Sequence, residues 1–156
     1  MTALQWVAAL LLVYPHMGHK ACVVARQESI AAAAEAAATT YHVPVVLLLA
    51  VGFLETHLGC DPRSGGNWGA PASRAHRDRA GTPATAASAL AFGYRHCPSD
   101  AGAVNFFRWG VCAIPAHYTG YGPHEVLLLA ERVVERGMRE QQMTLHNDGN
   151  DEGCGE

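Results

Sequence analysis

Several short catalytic signatures are missing from this 156-residue sequence. It contains no Gly-x-Ser-x-Gly elbow for a serine hydrolase and no Walker loop for nucleotide phosphates. It also contains no H-x-x-x-H spacing and no C-x-x-C pair, so a zinc site would have to be assembled by the fold from distant residues. We therefore expect no metal and no other cofactor.

A surplus of positive charge is also missing. The formal net charge is −3 at pH 7, whereas a general nucleic-acid-binding protein carries a basic face. The apolar stretch at residues 6–14 is too short to span a bilayer by itself. We expect neither a nucleic-acid partner nor a stable transmembrane span.

The N-terminal segment, residues 1–21, has two interpretations. The length of its apolar stretch is typical of a signal peptide, with cleavage near Ala21, but the segment before that stretch has no Lys or Arg. The alternative is a first core helix.

Five cysteines are many for a cytosolic chain of this size and favour disulfides in an oxidising compartment. Cys97 and Cys112 flank one short predicted helix and are plausible partners, with Cys22 and Cys60 as a second pair. The odd number leaves one thiol over. We expect a periplasmic or secreted protein.

The rest of the chain predicts an all-α domain, because no segment alternates long enough to build a sheet and no internal repeat is present. We assign residues 22–140 to this domain and residues 141–156 to an acidic disordered tail. Helices are predicted over the alanine-rich residues 30–38, after Pro44, from Thr82-Pro83 to His96, from Ser99 to Gly110, and from Pro123 onward.

One carboxylate stands out in this pattern. Residues 36–54 contain no Asp, Glu, Lys or Arg, and Glu55 follows them. Pro44 suits the first turn of a helix, and Gly59 and Pro62 suit its end, which places Glu55 in the last turn. Burial disfavours an ionised carboxylate, so Glu55 is a candidate general acid. Residues 64–70, rich in glycine around Trp68, have the composition of a binding loop.

These features together resemble a known family. An apolar helix begins after Val43-Pro44, Glu55-Thr56-His57-Leu58 ends it, Ser64 lies nine positions after the glutamate, and a glycine-rich loop follows. Gly120-Tyr121 before the last helix completes the pattern. In this respect residues 22–137 resemble the lysozyme-like lytic transglycosylases, which cleave bacterial peptidoglycan.

The sequence departs from that family in two places. The loop continues as Ala70-Pro71-Ala72 without the usual glutamine. The cleft helix of the family reads Ala-Tyr-Asn-Ala-Gly, whereas residues 105–110 place Phe107 at the tyrosine and Arg108 at the asparagine. Two polar contacts of the family are therefore changed.

The resemblance implies a lysozyme-like fold and non-hydrolytic cleavage between N-acetylmuramic acid and N-acetylglucosamine, with a 1,6-anhydro product. Glu55 would act as both acid and base. No second carboxylate is well placed, since Asp61 and Asp78 both lie outside an apolar setting. Four further residues are candidate substrate contacts, each with a purely structural alternative such as a turn, loop packing or a helix cap: Ser64, Asn67, Trp68 and Tyr121.

Three functional hypotheses stay open. The first is a monomeric transglycosylase acting on peptidoglycan glycan strands, and the second is a lysozyme-fold module that binds glycan or serves an assembly without cleaving. The third is a hydrolase of the same fold. For Glu55 itself, the alternative is a helix-end carboxylate that pairs with an arginine and does no chemistry. The enzyme hypothesis requires Glu55 to face a groove and to be clear of a guanidinium.

Overall fold

The computed structural model describes residues 1–64, 67–69, 81–113 and 123–148, and the chain is all-α over these segments, as predicted. No helix within them is both long and apolar enough to cross a membrane. The elements in chain order are α1 (Ala3–Val13), α2 (Lys20–Ala25), α3 (Gln27–Tyr41), α4 (Val45–Thr56), a 3-10 helix (Pro62–Ser64), α5 (Pro83–His96), α6 (Asp100–Trp109) and α7 (Pro123–Asp148).

Helix α4 lies at the centre and contacts α1, α3, α5 and α7. Eight of its 12 residues are buried, including Leu47 to Phe53 without interruption. A helix that is apolar around most of its circumference is stable only when other elements surround it. The helix predicted over the apolar run is confirmed, although Pro44 is its N-cap and not its first helical residue.

The end of α4 differs from the prediction, because His57 and not Gly59 terminates the helix. The chain turns left-handed at His57 (φ 51°), Leu58 (φ 58°) and Gly59 (φ 77°). Leu58 is completely buried, and its burial holds the turn in place of a glycine C-cap. Thr56 supports the same turn, since its hydroxyl accepts a 3.0 Å hydrogen bond from the Gly59 N–H.

Helices α5 and α6 begin as predicted. The Thr82 hydroxyl accepts a hydrogen bond from the Thr85 N–H at 3.2 Å, and the Ser99 hydroxyl accepts one from the Gly102 N–H at 3.1 Å. Each cap satisfies a backbone donor that the first helical turn leaves unpaired. Gly110 ends α6 in the left-handed conformation, with φ 73°.

Residues 3–13 form a core helix, as in the second interpretation of the N-terminal segment. Val7 and Leu10 of α1 are buried, and α1 contacts α3, α4 and α7. Processing near Ala21 stays a prediction, and it would remove both of these core side chains.

Both predicted disulfides are present, Cys22–Cys60 and Cys97–Cys112. They close loops with sequence separations of 38 and 15 residues. Loop-closure entropy gives stabilisations of about 4 and about 3 kcal/mol for such loops. Cys154 lies outside the described residues.

The last helix is longer than the sequence predicted. We expected a disordered tail from residue 141, but α7 continues to Asp148. Gln141, Gln142 and Met143 favour helix intrinsically, and an Arg136–Glu140 ion pair at 2.6 Å supports the turn before them. Residues 149–156 lie outside the described part of the chain.

Candidate functional site

Glu55 is the second-last residue of α4, at the point where the buried helix reaches the surface. Its side chain is 22% exposed, whereas the helix before it is almost wholly buried. The sequence prediction that a single carboxylate ends the apolar helix is therefore confirmed in its geometry. A carboxylate in this position can meet a ligand while most of its surroundings remain protein.

Arg108, near the end of α6, approaches Glu55 from one side. Its Nη1 donates a hydrogen bond to Oε1 of Glu55 at 3.1 Å, and the arginine side chain is 19% exposed. Phe107 beside it is buried, so the helical repeat turns Arg108 outward toward the end of α4. The guanidinium carbon also lies 5.5 Å from the ring centroid of Trp109, within cation–π range.

Gly69 lies against the aliphatic part of the Glu55 side chain. A Cβ atom at Gly69 would lie 2.8 Å from Cγ of Glu55, and the residue has φ +112°. Only glycine fits this conformation and this separation without strain. The loop backbone is held there partly by Trp68, whose N–H donates to the Gly81 carbonyl at 2.5 Å.

Trp68 is a core residue. It is 3% exposed, and a Cβ atom at Gly52 of α4 would lie 2.6 Å from its ring. The indole therefore rests directly on the α4 backbone. Its predicted role as a sugar-stacking platform is wrong for this structure, because a ring buried against a helix has no face to offer a ligand.

The other three predicted substrate contacts have different outcomes. The Ser64 hydroxyl donates to the Asp61 carbonyl at 2.6 Å, which is the structural turn named as its alternative. Asn67 packs against Gly81, and its buried Oδ1 has no hydrogen-bond partner among the described residues. Tyr121 lies outside the described residues, as does Asp78. Of the predicted site, the structure thus brings the loop backbone at Gly69 to Glu55, while the Ser64 hydroxyl is engaged by Asp61.

Asp61 is not available as a second catalytic acid. Its carboxylate accepts hydrogen bonds from the Arg63 guanidinium at 3.0 and 3.2 Å and from the Arg63 N–H at 2.9 Å. These bonds lower the pKa of Asp61 to about 2. The side chain is therefore ionised at any pH near neutrality and cannot deliver a proton.

Glu55 does not meet the requirement that it be clear of a guanidinium, because Arg108 pairs with it. This pairing matches the alternative in which Glu55 is a helix-end carboxylate that does no chemistry. The ion pair holds Oε1 of Glu55 and so opposes the use of that oxygen by a ligand. How strongly the ion pair counts against the enzyme hypothesis depends on its free energy. For partners that are each about one-fifth exposed, we expect about 1–2 kcal/mol, between the values for surface and fully buried pairs.

Sequence reasoning missed two features of this region. It placed Arg108 at a cleft position but gave no sign that α6 would bring it to Glu55. It also discounted histidine ligands on spacing, whereas the fold brings His19 and His57 together beside Asp61. Cys22 and Cys60 each lie three positions after one of these histidines. The predicted Cys22–Cys60 disulfide was therefore the signal that could have placed the two histidines close together.

No protein-family model, curated protein or solved structure matches this chain. The resemblance to the lysozyme-like lytic transglycosylases, and the lysozyme-like fold that it implies, therefore stay predictions carried by the residues themselves.

Proposed function

We propose that this protein cleaves the glycan strand of bacterial peptidoglycan, with Glu55 as the acid and base. The observation that carries the proposal is the position of Glu55: one partly exposed carboxylate at the end of a buried helix, close to the loop backbone at Gly69. The two disulfides are compatible with a secreted or periplasmic protein, where this substrate is found.

One carboxylate is enough for the transglycosylase reaction. Protonated Glu55 gives its proton to the glycosidic oxygen as the bond to C1 breaks, and the N-acetyl carbonyl of the muramyl sugar stabilises C1. The Glu55 carboxylate then takes the proton of the muramyl 6-hydroxyl while that oxygen bonds to C1. The product is a 1,6-anhydro sugar, no water is consumed, and Glu55 regains its proton. The commitment of Asp61 to Arg63 is consistent with this route.

The ion pair sets a condition on the first step. Glu55 must lose the Arg108 hydrogen bond before it can serve as an acid, at an expected cost of about 1–2 kcal/mol. That amount corresponds to roughly a 5- to 30-fold change in an equilibrium, which contacts with a bound glycan readily offset. The guanidinium is well placed to turn from Glu55 to the substrate, since it lies beside the partly exposed Trp109.

A second candidate is a glycan-binding module that does not cleave. The specific observation in its favour is the Glu55–Arg108 ion pair, because pairing with an arginine is expected of a carboxylate that has a structural role. The buried Trp68 also removes one of the predicted substrate contacts.

Digestion of purified peptidoglycan separates the candidates. We expect 1,6-anhydro muropeptides by mass spectrometry from the wild-type protein and none from Glu55→Gln, which should still sediment with the wall. Glu35→Gln, an exposed glutamate on α3, is the matched control and should cleave normally. Products with ordinary reducing ends would indicate a hydrolase.

Two outcomes would count against cleavage by Glu55. If wild-type protein sediments with the wall but releases no product, the binding module is the correct description. If Glu55→Gln lyses the wall as well as the wild type does, Glu55 is not the acid.

A further inference from the structure

Two segments that are far apart in the sequence meet just beyond the end of α4. One is the turn before α2, which carries His19, and the other is the turn after α4, which carries His57 and Asp61. The Cys22–Cys60 disulfide joins the two segments, with a Cα–Cα distance of 5.8 Å. Each cysteine follows its histidine by three positions, so the disulfide holds the backbones of the two histidines near each other.

The three side chains are close enough to share one ion. One ligand atom from each of His19, His57 and Asp61 lies within 4.8 Å of the other two, and the imidazole centroids are 5.4 Å apart. Zinc–ligand bonds of about 2.0–2.2 Å place tetrahedral ligand atoms roughly 3.3 Å apart, so the side chains would need to close by about 1.5 Å. His19 is exposed and can turn its ring to do so.

His57 has a polar atom that the protein leaves unpaired. Its Nδ1 is buried, and no described residue gives it a hydrogen bond. Buried nitrogens without a partner are rare, because each one loses the hydrogen bond it made in water. Burial, and then the neighbouring His19, lower the pKa of His57. Its ring is therefore neutral near pH 7, which is the form that binds a metal.

Asp61 is ready to act as an anionic ligand. Arg63 holds it ionised, but the Arg63 side chain is 90% exposed. A pair with one partner in solvent is weak and exchanges readily, so a cation can take over the carboxylate oxygens while Arg63 moves into water.

We propose that His19, His57 and Asp61 bind one Zn²⁺ ion, with water completing the coordination. Two imidazoles and one carboxylate suit zinc, whereas Ca²⁺ and Mg²⁺ prefer oxygen ligands alone. The ion would cross-link the turn before α2 to the C-cap residue of α4, two positions after Glu55. The assignment does not depend on the reaction proposed for Glu55, and its test does not use wall cleavage.

The test is a calorimetric titration of the full-length, disulfide-intact protein with Zn²⁺ at pH 7.5. A Cys154→Ser background removes the one cysteine that neither disulfide uses, which could bind zinc by itself. We expect one ion per chain. His19→Asn, His57→Asn and Asp61→Asn should each weaken binding by at least tenfold, since losing even an outer-shell partner costs about 10- to 100-fold.

His42→Asn is the matched control. His42 is also exposed and also left-handed, with φ 54°, but it caps α3 and takes no part in the cluster. Asn tolerates the left-handed conformation well, so all three histidine variants should keep the fold. His42→Asn should bind zinc as the wild type does, and zinc should raise the melting temperature of wild type and His42→Asn but not of His57→Asn.

Binding should weaken as the pH falls below about 6.5, because protons then compete with the ion for His57. The absence of saturable zinc binding would overturn the assignment. So would a loss of less than about tenfold in both His19→Asn and His57→Asn.

Discussion

Glu55 contacts two regions that differ in burial, the loop at residues 68–69 and the end of α6 at residues 108–109; we call them the loop side and the α6 side. On the loop side, Trp68 is 3% exposed and lies on the α4 backbone, while Gly69 contacts the Glu55 side chain. On the α6 side, Arg108 and Trp109 are both partly exposed, and Arg108 makes a polar contact with the carboxylate. The loop side is therefore part of the core, and the α6 side is open to solvent.

Because of this difference, we expect substrate contacts on α6 and not in the loop. The sequence favoured the loop, because a glycine-rich segment around a tryptophan is typical of a binding loop. In the structure that tryptophan packs against Gly52 of α4, and Gly69 permits the close approach of the loop backbone to Glu55. Arg108, which contacts Glu55, and Trp109, whose ring lies beside the Arg108 guanidinium, are both polar and partly exposed.

Trp68→Ala gives the largest effect that we expect. Removing a buried indole leaves a large cavity, and such changes reduce the free energy of unfolding by about 3–5 kcal/mol. Urea denaturation measures it. Trp109→Ala is the matched comparison and should lose less than about 1.5 kcal/mol, because its ring is only partly buried. Equal losses in the two variants would contradict the division between the two sides.

Gly69→Ala should have the next largest effect. The added methyl group would meet Glu55 Cγ at 2.8 Å, at a φ of +112° that alanine disfavours. We expect a loss of about 1–2 kcal/mol in the free energy of unfolding, together with a displaced Glu55 and reduced wall cleavage. Gly18→Ala is the control, because a Cβ there would meet nothing within 4 Å. Unchanged cleavage in Gly69→Ala would show that Glu55 does not depend on the loop backbone.

Much of the fold could be predicted from the sequence, because its signals are local. The Thr82 and Ser99 caps, the Gly110 stop and the apolar run of α4 each depend on residues within one or two helical turns. The Cys97–Cys112 disulfide followed from placing the two cysteines on either side of a short helix, and Cys22–Cys60 was the second pair. The end of α4 was misjudged because a buried Leu58 stabilises a left-handed turn where the sequence suggested Gly59.

The candidate site was predicted only in part, because its contacts join elements that are distant in sequence. Glu55 could be found, since its isolation after an apolar run is visible in the chain. Its pairing with Arg108, 53 positions later, depends on how α6 lies against the end of α4. The His19–His57 approach likewise depends on the Cys22–Cys60 bridge. Burial of Trp68 could not be distinguished from exposure by composition alone.

Arg108→Gln tests the contact between α6 and Glu55. It should lower the free energy of unfolding by only about 1–2 kcal/mol, since both partners are partly exposed. Urea denaturation measures this loss. Arg132→Gln, an exposed arginine on α7, is the control and should change the free energy of unfolding by less than about 0.5 kcal/mol. Equal losses in the two variants would mean that the Glu55–Arg108 ion pair contributes nothing measurable to stability.

Trp109→Ala should have a small effect on binding. An aromatic contact is worth about 0.5–1.5 kcal/mol, which predicts a roughly 2- to 10-fold weaker association with peptidoglycan in a sedimentation assay. Ser64→Ala is the comparison from the loop side, because its hydroxyl is already used by the Asp61 carbonyl. Weaker wall binding in Ser64→Ala than in Trp109→Ala would return the substrate contacts to the loop.

The smallest effect that we expect is a pH dependence of stability in the turn that follows Glu55. Burial, and then His19, lower the pKa of His57, with Arg63 adding to the effect and Asp61 opposing it. Below about pH 6.5 the unfolded chain therefore binds more protons at this residue than the folded chain does. Stability should fall as the pH drops through that value toward the lower pKa of the folded state.

Urea denaturation at several pH values, with a chelator present, measures this dependence. His57→Asn should flatten the change between about pH 6.5 and 5, whereas His42→Asn should keep it. Asp61 affects stability in a different pH range. Its pKa is lowered to about 2, so its contribution to the free energy of unfolding is lost only as the pH falls from about 3.8 toward 2. A pH dependence that His57→Asn leaves intact would place the responsible group outside this turn, and the unpaired His57 nitrogen would then have no measurable role in stability.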